Sequence, residues 1–317
     1  MRIEQLQHVI EIDNKKSISK AAKTFFMSQP QLSHSVKTLE TELGYKIFRR
    51  NKEGLIPTAQ GKEVLKLARE IINNVEEMKT IGSREGDLAG NLSLTLEPAV
   101  FNAFASQLVK RFYNMYHNAN LMITEDMPLS VIENVANGTC ALGVTGWPDE
   151  QDETRKQLLD AQNIAYHDVL KDYFGLMVGD RHPLSQKEVI TLRDLEDMTF
   201  VDYNGFTESY LRMFGIKPKK PSIIVYNREV LKSVIAANEG IAIFPRCFSF
   251  NDIYFQQGLI KIRGIEKVTD QVKMTMYLLY YRAGHLSPLT KQLIRMIIEI
   301  TRENILRSLA YHAHRTV

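Results

Sequence analysis

Residues 17–61 read SISKAAKTFFMSQPQLSHSVKTLETELGYKIFRRNKEGLIPTAQG. Ser19 is placed to cap a short helix carrying Ala21, Ala22, Thr24 and Phe25, because a serine hydroxyl accepts from the unpaired N–H groups that open a helix. After a turn at Phe26 and Met27, Ser28 is a second cap. Pro30 falls in the first turn that follows, where its missing N–H costs little. That helix continues to Leu43 with Leu32, Val36, Leu39 and Leu43 on one side, and Gly44, free to take left-handed backbone, ends it. Ile47 and Phe48 start a ribbon, residues 51–54 turn it, and Leu55 and Ile56 return. Upstream, residues 3–14 form a first helix, with Leu6, Val9, Ile10 and Asp13 at three-to-four spacing. Three short helices and a basic hairpin fit a winged helix-turn-helix over residues 1–60.

The third helix brings Ser28, Gln29, Pro30, Gln31, Ser33, His34 and Lys37 to a DNA-binding face and also exposes Ser35, a set rich in the donors and acceptors that base edges in a major groove require. The hairpin offers Arg49, Arg50 and Lys52 to phosphates or a minor groove. Residues 1–60 hold ten Lys or Arg against six Asp or Glu, whereas the whole 317-residue chain carries only +3. Positive charge gathered in one small segment suits a nucleic-acid contact. Periodicity and charge alone leave a small helical packing domain with ordinary solvated charges equally open.

Composition bounds the rest. With 44% hydrophobic and 24% charged residues the chain is ordinary globular protein of two or three domains. No apolar run approaches the roughly 20 residues of a membrane span, and Arg2, Glu4, Gln5, Glu11 and Asp13 break up any leader-like stretch. A cytoplasmic protein without a membrane partner is expected. Cys140 and Cys247 have no metal-ligand spacing; two buried small hydrophobes are favoured over a redox pair. No metal or required cofactor is expected.

A long helix is indicated from residue 58 to about 82, with Val64, Ala68, Ile71, Val75 and Met78 as a coiled-coil stripe. Its partner is either a second copy or the adjoining domain. Dimerisation is preferred, because paired recognition helices read a two-fold site. A linker closes this 58–90 segment, and alternating strands and helices follow, arguing for a mostly parallel sheet with helices on its faces. Two similar α/β halves suggest a bilobed binding unit with a cleft between them.

Ser17, Ile18, Ala21, Ala22, Ser28, Gln29, Pro30, Leu32, Ser33, Leu39, Glu40, Leu43 and Gly44, then Leu55, Pro57, Thr58 and Gly61, stand at the spacing of the LysR-type transcriptional regulators, which the chain resembles. Gly90, Leu92 and Leu94, His182, Pro183, Leu184, Leu192 and Leu195, and Val230, Ile235, Ala236, Ala237, Gly240, Ile241, Ala242 and Pro245 extend the resemblance over most of the chain. It implies a periplasmic-binding-protein-like effector domain over 91–300. One lobe would comprise about 91–163 plus 270–300, the other 166–267, with crossings near 163–168 and 266–273 and a C-terminal extension at 301–317. It implies a dimer or tetramer on double-stranded promoter DNA, RNA polymerase as a further partner, and an unidentified small-molecule effector. The sequence departs from the family at His34, often arginine in relatives, and at Asn238 and Glu239, where small residues are usual.

An enzyme needs more than the sequence offers. Glu97, Pro98 and Ala99 follow the first strand where a dinucleotide fold needs glycines, and neither His167 with Asp168 nor His285 has a nucleophile or metal ligand at informative spacing. A ligand carrier or an α/β enzyme with an incidental helical domain is the competing reading. Strand ends in such sheets face the cleft, and the helix turns that follow carry unpaired N–H groups. These bring Glu97, Ala99, Val100, Asp126, Met127, Thr145, Gly146 and Trp147 from the first lobe. Tyr203, Asn204, Gly205 and Asn227, with Phe244 and Pro245 at the far wall, come from the second. The mix suits a partly apolar metabolite. Glu97 is out of place at an anion-binding turn: it points to solvent, or the pocket takes a cationic group, or ligand binding has been altered.

Overall fold

The computed structural model describes residues 1–52, 54–80, 88–249, 251–269, 271–282 and 286–313. Most of the expected linker after residue 80, together with His285, lies outside the described residues. Helices α1 (Ile3–Lys15), α2 (Ile18–Thr24) and α3 (Gln29–Leu43) precede a ribbon of β1 (Phe48–Asn51) and β2 (Gly54–Pro57), from which α4 (Ala59–Thr80) departs. Ser17, not Ser19, caps α2 by accepting from the Lys20 N–H. The Ser19 hydroxyl donates instead to Gln29 Oε1 at 2.9 Å. Ser28 caps α3 as expected, and Gly44 ends it at φ 82°. The core gathers Leu6, Val9, Ile12, Ala21, Ala22, Leu32, Val36 and Leu39, with Ile12 buried where the sequence pointed to Ile10.

Two junctions fix the wing. Buried Glu40 accepts from the Ile47 N–H at 2.9 Å and from Lys46 Nζ at 2.6 Å, which ties the end of α3 to the start of the ribbon. Thr58 donates to Lys46 O at 2.6 Å and accepts from the Gly61 N–H at 2.9 Å. A Cβ on Gly61 would stand 1.9 Å from Ile47 O, so only glycine lets α4 begin this close to the wing.

The second part comprises β3 (Gly90–Leu96), α5 (Pro98–Met115), β4 (Ala119–Glu125), α6 (Pro128–Ala136), β5 (Leu142–Pro148) and α7 (Asp152–Ala161). There follow β6 (Ile164–Gly179), α8 (Leu192–Leu195), β7 (Val201–Tyr203), α9 (Phe206–Met213), β8 (Ile223–Val225) and α10 (Arg228–Ala236). The chain ends through β9 (Ala242–Pro245), α11 (Ile253–Gln256), β10 (Ile260–Arg263), β11 (Lys273–Tyr281) and α12 (Pro288–Ala313). In the first lobe β3 runs parallel to β4 and β5, while β11 is antiparallel to β5 and β6. In the second, β6 is antiparallel to β9 and β10, and β7 is parallel to β8.

The sheets are therefore mixed rather than mostly parallel, because the crossing strands run against their neighbours. The long β6 belongs to both lobes: Tyr173 still pairs with Lys273 in the first, and Phe174 pairs with Pro245 in the second. The division expected near 163–168 thus falls at Tyr173 and Phe174. The segment expected as a C-terminal extension from residue 301 instead continues α12, held to the first lobe by Asn304 Nδ2 donating to Ala103 O at 3.0 Å.

Candidate DNA interface and effector cleft

Leu32, Val36 and Leu39 turn α3 inward, leaving Gln29, Pro30, Gln31, Ser33, His34 and Lys37 exposed on the opposite side. The side chains of Ser33, His34 and Lys37 take no partner among the described residues. Gln29 and Gln31 are less available: Gln29 Oε1 accepts from Ser19, and Gln31 Oε1 accepts from the N–H and hydroxyl of Ser28 at 2.9 and 2.8 Å. The Gln31 amide nitrogen is the part left to reach outward. Ser35 does not read outward, since its hydroxyl pairs with His8 Nδ1 at 2.8 Å. Arg49, Arg50 and Lys52 stand exposed on the ribbon without an ion pair among the described residues. Phe26, in the turn before α3, has φ 53° and is 99% exposed; sequence reading located the turn but not the outward ring.

The helix stripe is redrawn by packing. Ala68 is 1% exposed and joins Leu65 in the core of its own N-terminal domain, because that face of α4 lies against α1. The apolar residues α4 leaves exposed are Leu67, Ile71 and Met78, with Val64 and Val75 half-buried. Leu67, absent from the expected stripe, thus replaces Ala68.

Between the lobes, Glu97 stands at the N-cap position of α5 at its exit from β3, and its side chain makes no capping bond there. It is 3% exposed, which excludes the solvent-facing alternative. Its Oε2 accepts from the Thr145 hydroxyl at 2.7 Å and the Gly146 N–H at 2.8 Å. Burial pushes its carboxyl up to about 7, against the pull of these two donors. Across the cleft its charge in turn helps raise the Tyr210 hydroxyl and the Cys247 thiol, both already raised by burial.

Phe244 joins an aromatic wall with Phe206, Tyr210 and Phe248, and Tyr203 stacks on Phe206. The lobes meet at the rim. Arg228 pairs with Glu125 at 2.7 Å and donates to Pro98 O at 3.2 Å. Tyr203 donates to the same Glu125 at 2.8 Å, and Asn204 Nδ2 reaches Met127 Sδ.

Other expected cleft residues serve the fold. Ala99 and Val100 sit in the hydrophobic core. Asp126 accepts from the Met127 N–H and from Asn134, Asn227 caps α10, Gly205 opens α9 in left-handed backbone, and Pro245 pairs with Phe174. Trp147 is a correction. It packs with Ile132, Val135 and Leu159 of α6 and α7, stacks on Tyr277 at 4.5 Å and donates to Asp152 at 3.0 Å, so it is core rather than cleft. Tyr210, Phe206 and the Glu125–Arg228 pair were missed; the signal available for the last was Arg228 directly after the cap Asn227. Among the described residues no cluster of His, Cys, Asp or Glu suits a metal ion, and no helix is long and apolar enough to cross a membrane.

A winged helix-turn-helix joined through a long helix to a two-lobed α/β unit defines a DNA-binding regulator with an effector domain. The family description "Bacterial regulatory helix-turn-helix protein, lysR family" matches residues 3–62, and "LysR substrate binding domain" matches residues 85–302. The chain belongs to the LysR family of transcriptional regulators, a family of regulators and not of enzymes. It is 28% identical to YvbU of Bacillus subtilis, named an uncharacterized HTH-type transcriptional regulator, over 77% of this chain and 81% of that one. It is 24% identical to a probable RuBisCO transcriptional regulator of Phaeodactylum tricornutum, over 76% and 79% of the two chains. Its fold matches a cysteine-to-aspartate variant of full-length OxyR from Pseudomonas aeruginosa with a TM-score of 0.68 at 17% identity, covering 95% of each chain. Full-length CbnR in complex with its target DNA matches at 0.50 and 18% identity, over 95% of this chain and 100% of that one.

Proposed function

We propose that this regulator reads a promoter site as a dimer through α3 and the ribbon, and that a small molecule in the interlobe cleft changes how the paired domains sit on DNA. One observation carries the DNA part: Ser33, His34 and Lys37 share one exposed face with no protein partner among the described residues, beside three exposed cations on the ribbon. Groups left unsatisfied by the fold are groups available to base edges and phosphates. Leu67, Ile71 and Met78, exposed along one side of α4, supply the dimer seam, since an apolar stripe on a helix is relieved by a second copy of itself. Pairing through the effector domains would extend the dimer to a tetramer. Effector binding and DNA binding are then two sites coupled through a change in lobe arrangement.

The test is fluorescence anisotropy against the DNA upstream of the protein's own gene and against random duplex. A clear preference for the former is expected. Equal, salt-sensitive affinity for both would reduce the protein to non-specific binding. Light scattering of the full chain with Leu67→Glu and Ile71→Glu should show half the parent's assembly mass, monomers from a dimer or dimers from a tetramer.

A further inference from the structure

Glu97 stands at the N-cap position of α5, but its carboxylate makes no bond to the first-turn N–H groups and turns to β5 instead. The carboxylate is anchored by one oxygen only, Oε2, to Thr145 and Gly146. Oε1 has no hydrogen-bond partner among the described residues, and it is not one of the fully enclosed unsatisfied atoms, so it borders space that a water-sized group reaches. The Tyr210 hydroxyl is in the same position: it has no partner among the described residues and is not fully enclosed. Both groups belong to the cleft, one from each lobe.

The cations near the cleft are engaged elsewhere. Arg228 is held by Glu125, Arg246 by Asp172 and Lys232 by Asp252. Among the described residues no positively charged side chain acts on Glu97, whose carboxyl is set by burial and by the hydrogen bonds from Gly146 and Thr145. A buried carboxylate is costly unless it is paired. The wall opposite is aromatic, built from Phe206, Tyr210 and Phe244, and aromatic faces attract cations. The cleft therefore supplies a carboxyl that ionises near neutrality, a hydroxyl and π faces, and among the described residues it lacks the positive charge that would hold that carboxyl ionised.

We propose that the effector of this regulator carries a protonated amino or guanidinium group that pairs with Glu97 Oε1, while its apolar body lies on the aromatic wall of the second lobe. This inference rests on the reading of the interlobe cleft as the effector site, and it names the chemical class that site takes. A carboxylate effector is disfavoured, since its charge would meet that of Glu97 without an intervening cation.

The test uses the full-length protein and three probes of nearly one shape: benzylamine, benzyl alcohol and benzoate. Binding is followed by calorimetric titration and by melting temperature. Benzylamine is expected to bind and raise the melting temperature, with benzoate the weakest of the three. Glu97→Gln should lose roughly ten- to a hundredfold of the benzylamine affinity, the worth of a charge-assisted hydrogen bond, while benzyl alcohol binding stays within about twofold. Retained benzyl alcohol binding and an undiminished melting temperature certify the fold of that variant's effector domain, since DNA binding reports on the separate N-terminal core.

Unmodified protein provides a second measurement. The groups facing Glu97 are Thr145 and Gly146 of β5, Tyr210 of α9 and Cys247 beyond β9, and the last two keep their protons well into the alkaline range. Benzylamine affinity should therefore rise between pH 6 and 8 as Glu97 ionises, and a flat profile would count against the pairing. Binding of benzoate in preference to benzylamine, abolished by Phe206→Ala, would overturn the cationic class and leave the cleft as effector site. Silence toward all three probes, with DNA binding intact, would overturn the effector reading itself.

Discussion

The two ends of this chain treat polar side chains in opposite ways. On α3 and the ribbon, Ser33, His34, Lys37, Arg49, Arg50 and Lys52 are exposed, and water satisfies them until something better arrives. In the cleft, Glu125, Asp126, Thr145, Tyr203, Asn227 and Arg228 are already satisfied by the protein, and Glu97 and Tyr210 each keep an oxygen without a partner among the described residues. An exposed unpaired group costs almost nothing, so a surface can carry many of them. A buried one is expensive, so the cleft carries few, and each is correspondingly informative about its partner.

Substitutions that sharpen this contrast should have effects graded by burial and charge. The largest is at Glu97. Its carboxyl is raised from the ordinary 4.5 to about 7, so the folded protein prefers the protonated form. Stability is then highest at low pH, declines as pH rises from about 4.5 through about 7, and is level above. At about 1.4 kcal/mol per unit, Glu97→Gln should be more stable than the parent by up to about 3 kcal/mol at pH 8 and nearly equal to it at pH 4. Urea denaturation at the two values measures this, and a parent whose stability rises between them breaks the comparison.

Next is the ribbon. Replacing Arg49, Arg50 and Lys52 together by alanine should weaken binding to every duplex alike, by roughly a hundredfold at low salt, and reduce the salt slope by about three. An unchanged slope removes the wing from the interface. Ser33→Ala or His34→Ala should cost about 1–2 kcal/mol on cognate DNA and little on random DNA; a preserved preference would mean that α3 does not read the site.

The smallest effect belongs to the rim. Arg228→Met removes a partly exposed pair with Glu125 and a bond to Pro98 O. It should cost about 1 kcal/mol while hastening amide exchange over residues 98–102. Unaltered exchange there would show that the rim contacts do not hold the lobes together.

Legibility in the sequence followed the range of the signals. The N-terminal domain was readable because its punctuation is local: Ser28, Pro30 and Gly44 act within a turn or two of where they stand. Even there, the cap expected at Ser19 falls at Ser17, because Ser19 lies inside α2, where its hydroxyl reaches Gln29 ten residues away. The coiled-coil arithmetic on α4 found the right helix but counted Ala68 as free, since spacing reports that a face is apolar and not what covers it. In β6 the half that pairs with β11 alternates poorly, its burial being set by a strand far along the chain, and the lobe boundary slipped accordingly. Strand ends gather at the cleft and so point to Trp147; the stacking on Tyr277 that claims it is again a long-range contact. The identity of Glu97 was visible as an oddity at a helix start, but its burial and its single anchored oxygen depend on packing.

Arg69, on the long helix, joins the N-terminal domain to the first lobe. One nitrogen of its guanidinium donates to Asp13 of α1 at 2.6 Å, and the other to the Asn137 carbonyl beside α6 at 3.2 Å; one turn earlier, Lys66 lies 3.7 Å from the Tyr281 ring centre. One planar group thus acts as a coupling pin between the domain that meets DNA and the lobe that carries Glu97. A rotation of that lobe about α4 must shear one of these bonds or carry α1 along with it, so the torque has a route that bypasses the linker altogether.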